Sequence, residues 1–385
     1  MKSPFRLSAI ALIVLCLSSL ALARPALIPA PPQVSASSYI LLDADSGEVI
    51  VESNSRQELP PASLTKMMTA YIVEAEVAAG NINLYDEVPV SVKAWRTGGS
   101  KMFIKEGSKV VLEDLLKGVV IQSGNDASIA LAEYVAGSED AFADIMNQQA
   151  VMLGMTNTHF MNATGLPAEG HYSTAADLAV LAKAIIQDYP EQYALYADKY
   201  FTYNNIRQPN RNRLLWRDKS VDGLKTGHTE EAGFCLVASA VRDNMRLVSV
   251  VMGTNSEEAR AKETQKLLNY GFRYYKTHQL YAPAEELTTS RVWGGLTDQV
   301  SLGVAQNVIV TIPRGHKDAL DAKIDLDPTI KAPIEVGQEF GRLVVKLDGE
   351  IVVNESLVAL EPVEEGGFFK RIWDWIKLLF IGLFA

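Results

Sequence analysis

Ser63-Leu64-Thr65-Lys66 decides the reading of this chain. A serine three residues ahead of a lysine, at the start of a helical pattern, puts a hydroxyl and an amine on one face, one turn apart. Serine is a poor nucleophile until a base takes its proton, and lysine serves as that base only when desolvation or a neighbouring cation lowers its pKa. Alone, the pair reads equally as a helix cap followed by a surface lysine. Two tripeptides follow: Ser123-Gly124-Asn125, by itself an ordinary helix-linking turn, and Lys225-Thr226-Gly227, by itself a loop-to-strand junction. If Lys225 shares a pocket with Lys66, their repulsion favours a neutral Lys66, while Lys225 stays charged to meet an anionic substrate. The helix start adds backbone N–H groups and a positive dipole end, suited to a developing oxyanion.

Around these motifs the pattern alternates between strand and helix. Residues 38–42 and 48–51, joined by Asp45-Ser46-Gly47, read as a hairpin. Pro60-Pro61 stop anything before the nucleophile helix, whose apolar face is Leu64, Met67, Met68, Tyr71 and Ile72 and which ends by Gly80. Residues 111–121, 126–135, 138–153 and 174–187 are expected helical, with Ser123-Gly124-Asn125 in the turn between the first two. Residues 234–241 and 245–252 make a second hairpin, and 256–277 a long helix. Helical periodicity then stops. Short apolar or alternating runs at 308–312, 342–347 and 351–353 predict a small β domain.

The two ends carry their own signals. Lys2 and Arg6 precede an apolar run from Leu7 to Leu17, and Ala21-Leu22-Ala23 has the small-residue pattern of a cleavage site, so residues 1–23 read as an export leader cut after Ala23. A membrane anchor is the weaker reading, because the run is short. Bulky Leu15 disfavours lipid modification at Cys16. Loss of the leader takes the formal charge from −10 to −12 and leaves Cys235 as the single cysteine of a 385-residue precursor, expected in the core. The acidic balance and the lack of a basic, aromatic-interleaved patch exclude nucleic acid as partner. At the other end Lys370, Arg371, Asp374 and Lys377 are spaced to form one polar stripe, net +2, on a helix otherwise filled with Phe, Trp, Ile and Leu. From Phe368 to Phe380 it is too short in charge-free length to span a bilayer and suits the face of an anionic one. The alternative is a terminal core helix.

The three motifs, in this order, resemble those of the low-molecular-mass penicillin-binding proteins, and in particular the exported D-alanyl-D-alanine carboxypeptidases with a C-terminal membrane-binding helix. Pro61 to Thr69, Ser123 to Ala127, Asn210-Arg211-Asn212, Val221 to Thr229 and Thr311 to Gly315 all read like that family. The resemblance implies an α/β fold: a penicillin-binding, serine β-lactamase-like domain with an antiparallel sheet between helices (24–277), then a small all-β domain (278–365) and an amphipathic helix (366–385). It implies a peptidoglycan stem pentapeptide as substrate, β-lactams as covalent inhibitors, no cofactor or metal, and a peripheral place on the periplasmic face of the bacterial inner membrane. Ser63 would attack the carbonyl between the two terminal D-alanines, with Lys66 as base, Ser123 relaying a proton and Asn125 orienting Lys66. Lys225 and Thr226 would hold the terminal carboxylate, with Arg211 assisting, and Gly227 would keep the strand edge clear. The N–H groups of Ser63 and His228 would form the oxyanion hole. Asp177 and Arg260 resemble positions near the site. Close relatives often carry a cysteine where this chain has Ser128.

Rival functions differ in what they need. A class A β-lactamase adds a glutamate for deacylation, but residues 158–166 read Thr-His-Phe-Met-Asn-Ala-Thr-Gly-Leu, with no glutamate before Asn162 and Glu169 outside the pattern. An endopeptidase of the same fold cuts cross-links and often lacks the second domain and tail. A wall-binding scaffold needs no base beside a serine. The five histidines are scattered and none has zinc-ligand spacing.

Overall fold

Strands β1 (Ser38–Asp43), β2 (Val49–Ser53), β3 (Val221–Thr229), β4 (Gly233–Arg242) and β5 (Met245–Thr254) form one antiparallel sheet in the order β2-β1-β5-β4-β3. The computed structural model describes residues 28–384; the expected leader, its cleavage point and Cys16 lie outside the described residues. Because strand side chains alternate, Ile40, Val248 and Val250 face one core while Leu41, Leu247 and Val251 face another. The first core is closed by helices α1 (Lys66–Ala78), α2 (Asn125–Ala136), α3 (Glu139–Met152) and α4 (Ala175–Asp188). The second is closed by α5 (Glu257–Tyr274), through Leu267, Leu268 and Phe272. The sheet therefore lies between two helical layers. Ser138, Thr174 and Ser256 cap α3, α4 and α5 by accepting first-turn N–H groups.

Two expected helices have different bounds. The segment 111–121 begins as the end of a short strand (Lys109–Val111), continues as a helix over Leu112–Lys117, and finishes in a widened turn over Gly118–Gln122. The turn stops at Ser123, whose φ of 65° cannot continue a right-handed helix. The helix expected through Thr277 stops at Tyr274, because Tyr275-Lys276-Thr277 pair with Ile312 and its neighbours instead. Non-local pairing overrides the local helical pattern there, and β structure begins three residues before the expected domain junction.

The second domain is all β. Strands β6 (Tyr275–Tyr281), β7 (Glu286–Trp293), β8 (Gln299–Val304), β9 (Val308–Pro313), β10 (Leu320–Leu326), β11 (Ile330–Lys331), β12 (Glu339–Leu347) and β13 (Glu350–Ala359) make a six-stranded sheet, ordered β10-β12-β13-β8-β7-β11, and the pair β6-β9. Val310, Leu343, Val345 and Leu357 share one core. The domain grips the β1–β2 turn, away from edge strand β3: Thr277 donates to Asp43 at 2.5 Å, and the hydroxyls of Ser46 and Thr311 meet at 2.8 Å. Helix α6 (Phe368–Phe384) ends the chain, resting on β7.

Candidate active site

Pro60-Pro61 end the incoming chain and a 3-10 turn over Ala62–Thr65 starts the nucleophile helix, leaving Ser63 half-buried at the sheet edge. One turn on, Lys66 is 1% exposed, and its Nζ lies 3.2 Å from Ser63 Oγ, 2.7 Å from Asn125 Oδ1 and 2.5 Å from the main-chain oxygen of Thr164. In its neutral form the amine has two N–H groups, which these two acceptors take, so the lone pair is left for the Ser63 hydroxyl. Burial first, then the Arg211 charge, lowers the Lys66 pKa to about 7; Asp126 and Glu139 oppose the shift.

Asn125 is fixed from behind. Its N–H donates to Ser100 O at 2.7 Å and its Nδ2 to Gly98 O at 2.7 Å. Asp126 holds the same loop by accepting the N–H groups of Met102 and Phe103, both at 2.9 Å. The left-handed backbone at Ser123 brings its Oγ to 2.8 Å from Lys225 Nζ, which also donates to Thr226 O at 3.0 Å. Ser63, Ser100, Ser123, Arg211, Thr226, Gly227, His228 and Arg260 line one cleft of about 220 Å³. Six of the nine sequence-derived site residues are in that lining, and the other three, Lys66, Asn125 and Lys225, are buried next to it. A larger hollow of about 620 Å³ adjoins it past Ala62 and Thr229, walled by residues 165–172 and by Glu58 and Glu231.

Several expected details change. Lys225 is not what depresses Lys66; burial and Arg211 do that. Lys225 is itself pushed well down, by burial first and then by Lys66, Arg211 and Arg260, so both lysines of the cleft are held below the ordinary lysine range. A Cβ at Gly227 would point at the helix start, 3.1 Å from Pro61 O and 3.3 Å from Leu64 Cγ, so this glycine lets the strand and the nucleophile turn approach closely. Arg211 donates to Gln122 O at 2.9 Å at the cleft mouth, and the His228 ring stacks on Phe234 with centroids 3.9 Å apart. Arg260 is buried, donating to Gly227 O at 3.1 Å and pairing with Glu257 at 3.3 Å. Asp177 instead ties the base of a neighbouring loop, accepting from Asn157 N at 2.9 Å and Thr158 Oγ1 at 2.7 Å.

That loop holds what the motifs omit. Asn162 Oδ1 accepts from Thr164 N at 3.1 Å and Gly165 N at 2.8 Å, aiming the Thr164 oxygen at Lys66. Gly165 has φ +78°, and a Cβ there would sit 1.8 Å from Ala62 O. His171 accepts the Met161 N–H at Nδ1 (3.2 Å), so its Nε2 carries the proton and donates to Thr65 Oγ1 at 2.8 Å; burial lowers its pKa to about 4. Asn162 followed by Gly165 three residues on is a turn pattern that could have pointed to this support, and it was not read that way from the sequence.

Comparison with known proteins agrees with this architecture. A family profile described as D-alanyl-D-alanine carboxypeptidase matches residues 26–256, and one described as penicillin-binding protein 5, C-terminal domain, matches residues 275–365. The chain is 48% identical to D-alanyl-D-alanine carboxypeptidase DacC of Escherichia coli, covering 91% of this chain and 89% of that one. It is 44% identical to DacA of the same organism, over 92% and 90%. The crystal structure of penicillin binding protein 5 from Haemophilus influenzae superposes with a TM-score of 0.84 at 40% identity, covering 88% of this chain and all of that chain.

Proposed function

This chain belongs to the D-alanyl-D-alanine carboxypeptidase family and is a serine-type hydrolase, and from that premise we propose how its cleft divides the work. Ser63 Oγ attacks the carbonyl carbon between the two terminal D-alanines of a peptidoglycan stem pentapeptide as Lys66 takes its proton. The C–N bond breaks, the leaving D-alanine nitrogen gains a proton through Ser123, and water later cleaves the ester on Ser63. Lys225, Thr226 and Arg211 meet the substrate carboxylate, whose charge draws Lys225 back to its ammonium form. The N–H groups of Ser63 and His228 receive the oxyanion. The observation that carries this reading is the set of three partners around Lys66 Nζ in a buried position with a pKa of about 7.

The same site accepts β-lactams as acylating inhibitors. No glutamate in residues 158–166 is placed to activate a deacylating water, and Asn162 is committed to its own loop, so the acyl-enzyme persists. The leader at residues 1–23 directs export, and α6 holds the enzyme peripherally on the outer face of the inner membrane. In support, no helix among the described residues is long and apolar enough to cross a membrane, while α6 leaves Phe369 86% and Trp375 63% exposed.

The test is D-alanine release from a muramyl-type pentapeptide by the protein and by Ser63→Ala, with mass spectrometry after penicillin exposure. Release that requires Ser63, with a lasting adduct on it, is expected. Undiminished release by Ser63→Ala, or rapid penicillin turnover, would sink the assignment.

A further inference from the structure

Helix α6 sits on its own protein the wrong way round for a helix in water. Among residues 368–381 its one buried side chain is Asp374, 3% exposed, whose Oδ2 accepts the Gly294 N–H at 3.0 Å. Asp374 Oδ1 lies 3.5 Å from Lys377 Nζ and 3.9 Å from the Arg291 guanidinium. Lys370 donates to Leu296 O at 3.1 Å and pairs with Asp298 at 2.8 Å, and Arg371 pairs with Glu365 at 2.5 Å. The polar stripe that the sequence suited to anionic headgroups is therefore turned toward the β domain, and all four of its charges have partners there or on the helix itself. Phe369, Trp373, Leu379 and Phe380 are exposed, and Phe368 and Trp375, also exposed, flank a hollow shared with Trp293 and Ala332.

A helix resting on a globular body in water buries its apolar face and leaves its charges outside. The reverse arrangement leaves a broad apolar face uncovered, and it requires that the buried carboxylate be partnered, as Asp374 is. We propose that Asp374 clamps α6 to the β domain with its charges turned inward, so that the surface offered to the bilayer is uncharged and the helix rides as a rigid part of the body. This rests on the bilayer reading above and changes what it demands of the lipid: hydrocarbon to cover the outer face, with little regard to headgroup charge.

The experiment compares the full protein with Asp374→Ala on neutral phosphatidylcholine vesicles and on vesicles containing phosphatidylglycerol, at low and high salt. An unpaired Lys or Arg near an anionic surface raises affinity roughly fivefold. The parent should bind both vesicles within about threefold and resist salt. Asp374→Ala frees Lys377 directly and, as the helix lifts from the β domain, draws Lys370 off Asp298, so it should prefer anionic vesicles by on the order of tenfold and lose that preference in salt. D-alanine release from a soluble pentapeptide should be the same for both. A parent with the same anionic preference and salt sensitivity as the variant would overturn the proposal. Spin labels at Phe369→Cys and Thr289→Cys, measured without lipid, report the clamp directly: a narrow distance distribution that broadens in Asp374→Ala supports it, and a broad one in the parent overturns it. If neither protein binds any vesicle while the distance stays narrow, the bilayer reading and the uncharged-surface claim fall and the clamp itself is supported.

Discussion

Lys66 Nζ ends 2.5 Å from the main-chain oxygen of Thr164, a residue 98 positions further along the chain. With Asn125 Oδ1 on its other side, this oxygen determines which direction the amine lone pair faces, and that direction is toward Ser63. In the proposed mechanism the base is thus oriented by two acceptors, and its burial lets it stand unprotonated near neutral pH.

Arg211 contributes to that tuning from the cleft mouth, since its charge is the second cause of the low Lys66 pKa. Acylation needs the neutral amine, so kcat/KM should rise as pH increases through about 7. Arg211→Ala removes a cation and lets the Lys66 pKa rise, moving this limb to higher pH by about half a unit to one unit. A pH profile of penicillin acylation checks it, and a limb that stays in place would refute the coupling.

Gly165→Ala should be far more damaging than a single methyl suggests. The left-handed backbone alone disfavours alanine by about 1–2 kcal/mol, and the Cβ would collide with Ala62 O beside the nucleophile. Displacing Ser63 by about 1 Å slows acylation on the order of 10²-fold. Thermal melting and the acylation rate should both fall; a variant that acylates at the parent rate would show that the loop can yield.

Stability should carry the signature of His171. Its proton is accepted near 6.5 in the unfolded chain and only near 4 in the folded one. As pH falls between those values the unfolded state binds more protons, so stability drops by about 3 kcal/mol across the window, with no further loss from this group below it. Denaturant titrations at stepped pH should show that slope, and His171→Gln, which has nothing to protonate, should flatten it.

Thiol reagents should leave the native enzyme active. Cys235 is fully buried in β4 with its thiol pushed up to about 11 by burial, and Ser128, where relatives often have cysteine, donates its hydroxyl to Gly124 O at 2.8 Å. Mass spectrometry should find no label until the protein is denatured, and labelling of the folded protein with loss of penicillin binding would contradict this.

What the sequence made legible was local or carried by side-chain identity. The hairpins at β1–β2 and β4–β5, the α1 face, and the Ser63, Ser123 and Lys225 motifs all have patterns of their own. Thr164 O, Gly98 O and Ser100 O do not, because a main-chain acceptor leaves no residue signature. The end of the helix at Tyr274 was hidden because it depends on a partner strand at 308–313. Periodicity placed Lys370, Arg371, Asp374 and Lys377 on one face of α6, but it cannot say which face turns inward; the Gly294 N–H decides that.

The loop at 162–165 has a consequence for how this enzyme can change by mutation. No point substitution deletes a peptide carbonyl, so the Thr164 oxygen that steers Lys66 is safe from the commonest kind of genetic damage. One position later the situation reverses, because Gly165 admits no side chain at all. The aim of Lys66 is therefore exposed to mutation through Asn162 and Gly165, the side chain that holds the loop and the position that can carry none, and not through the carbonyl itself.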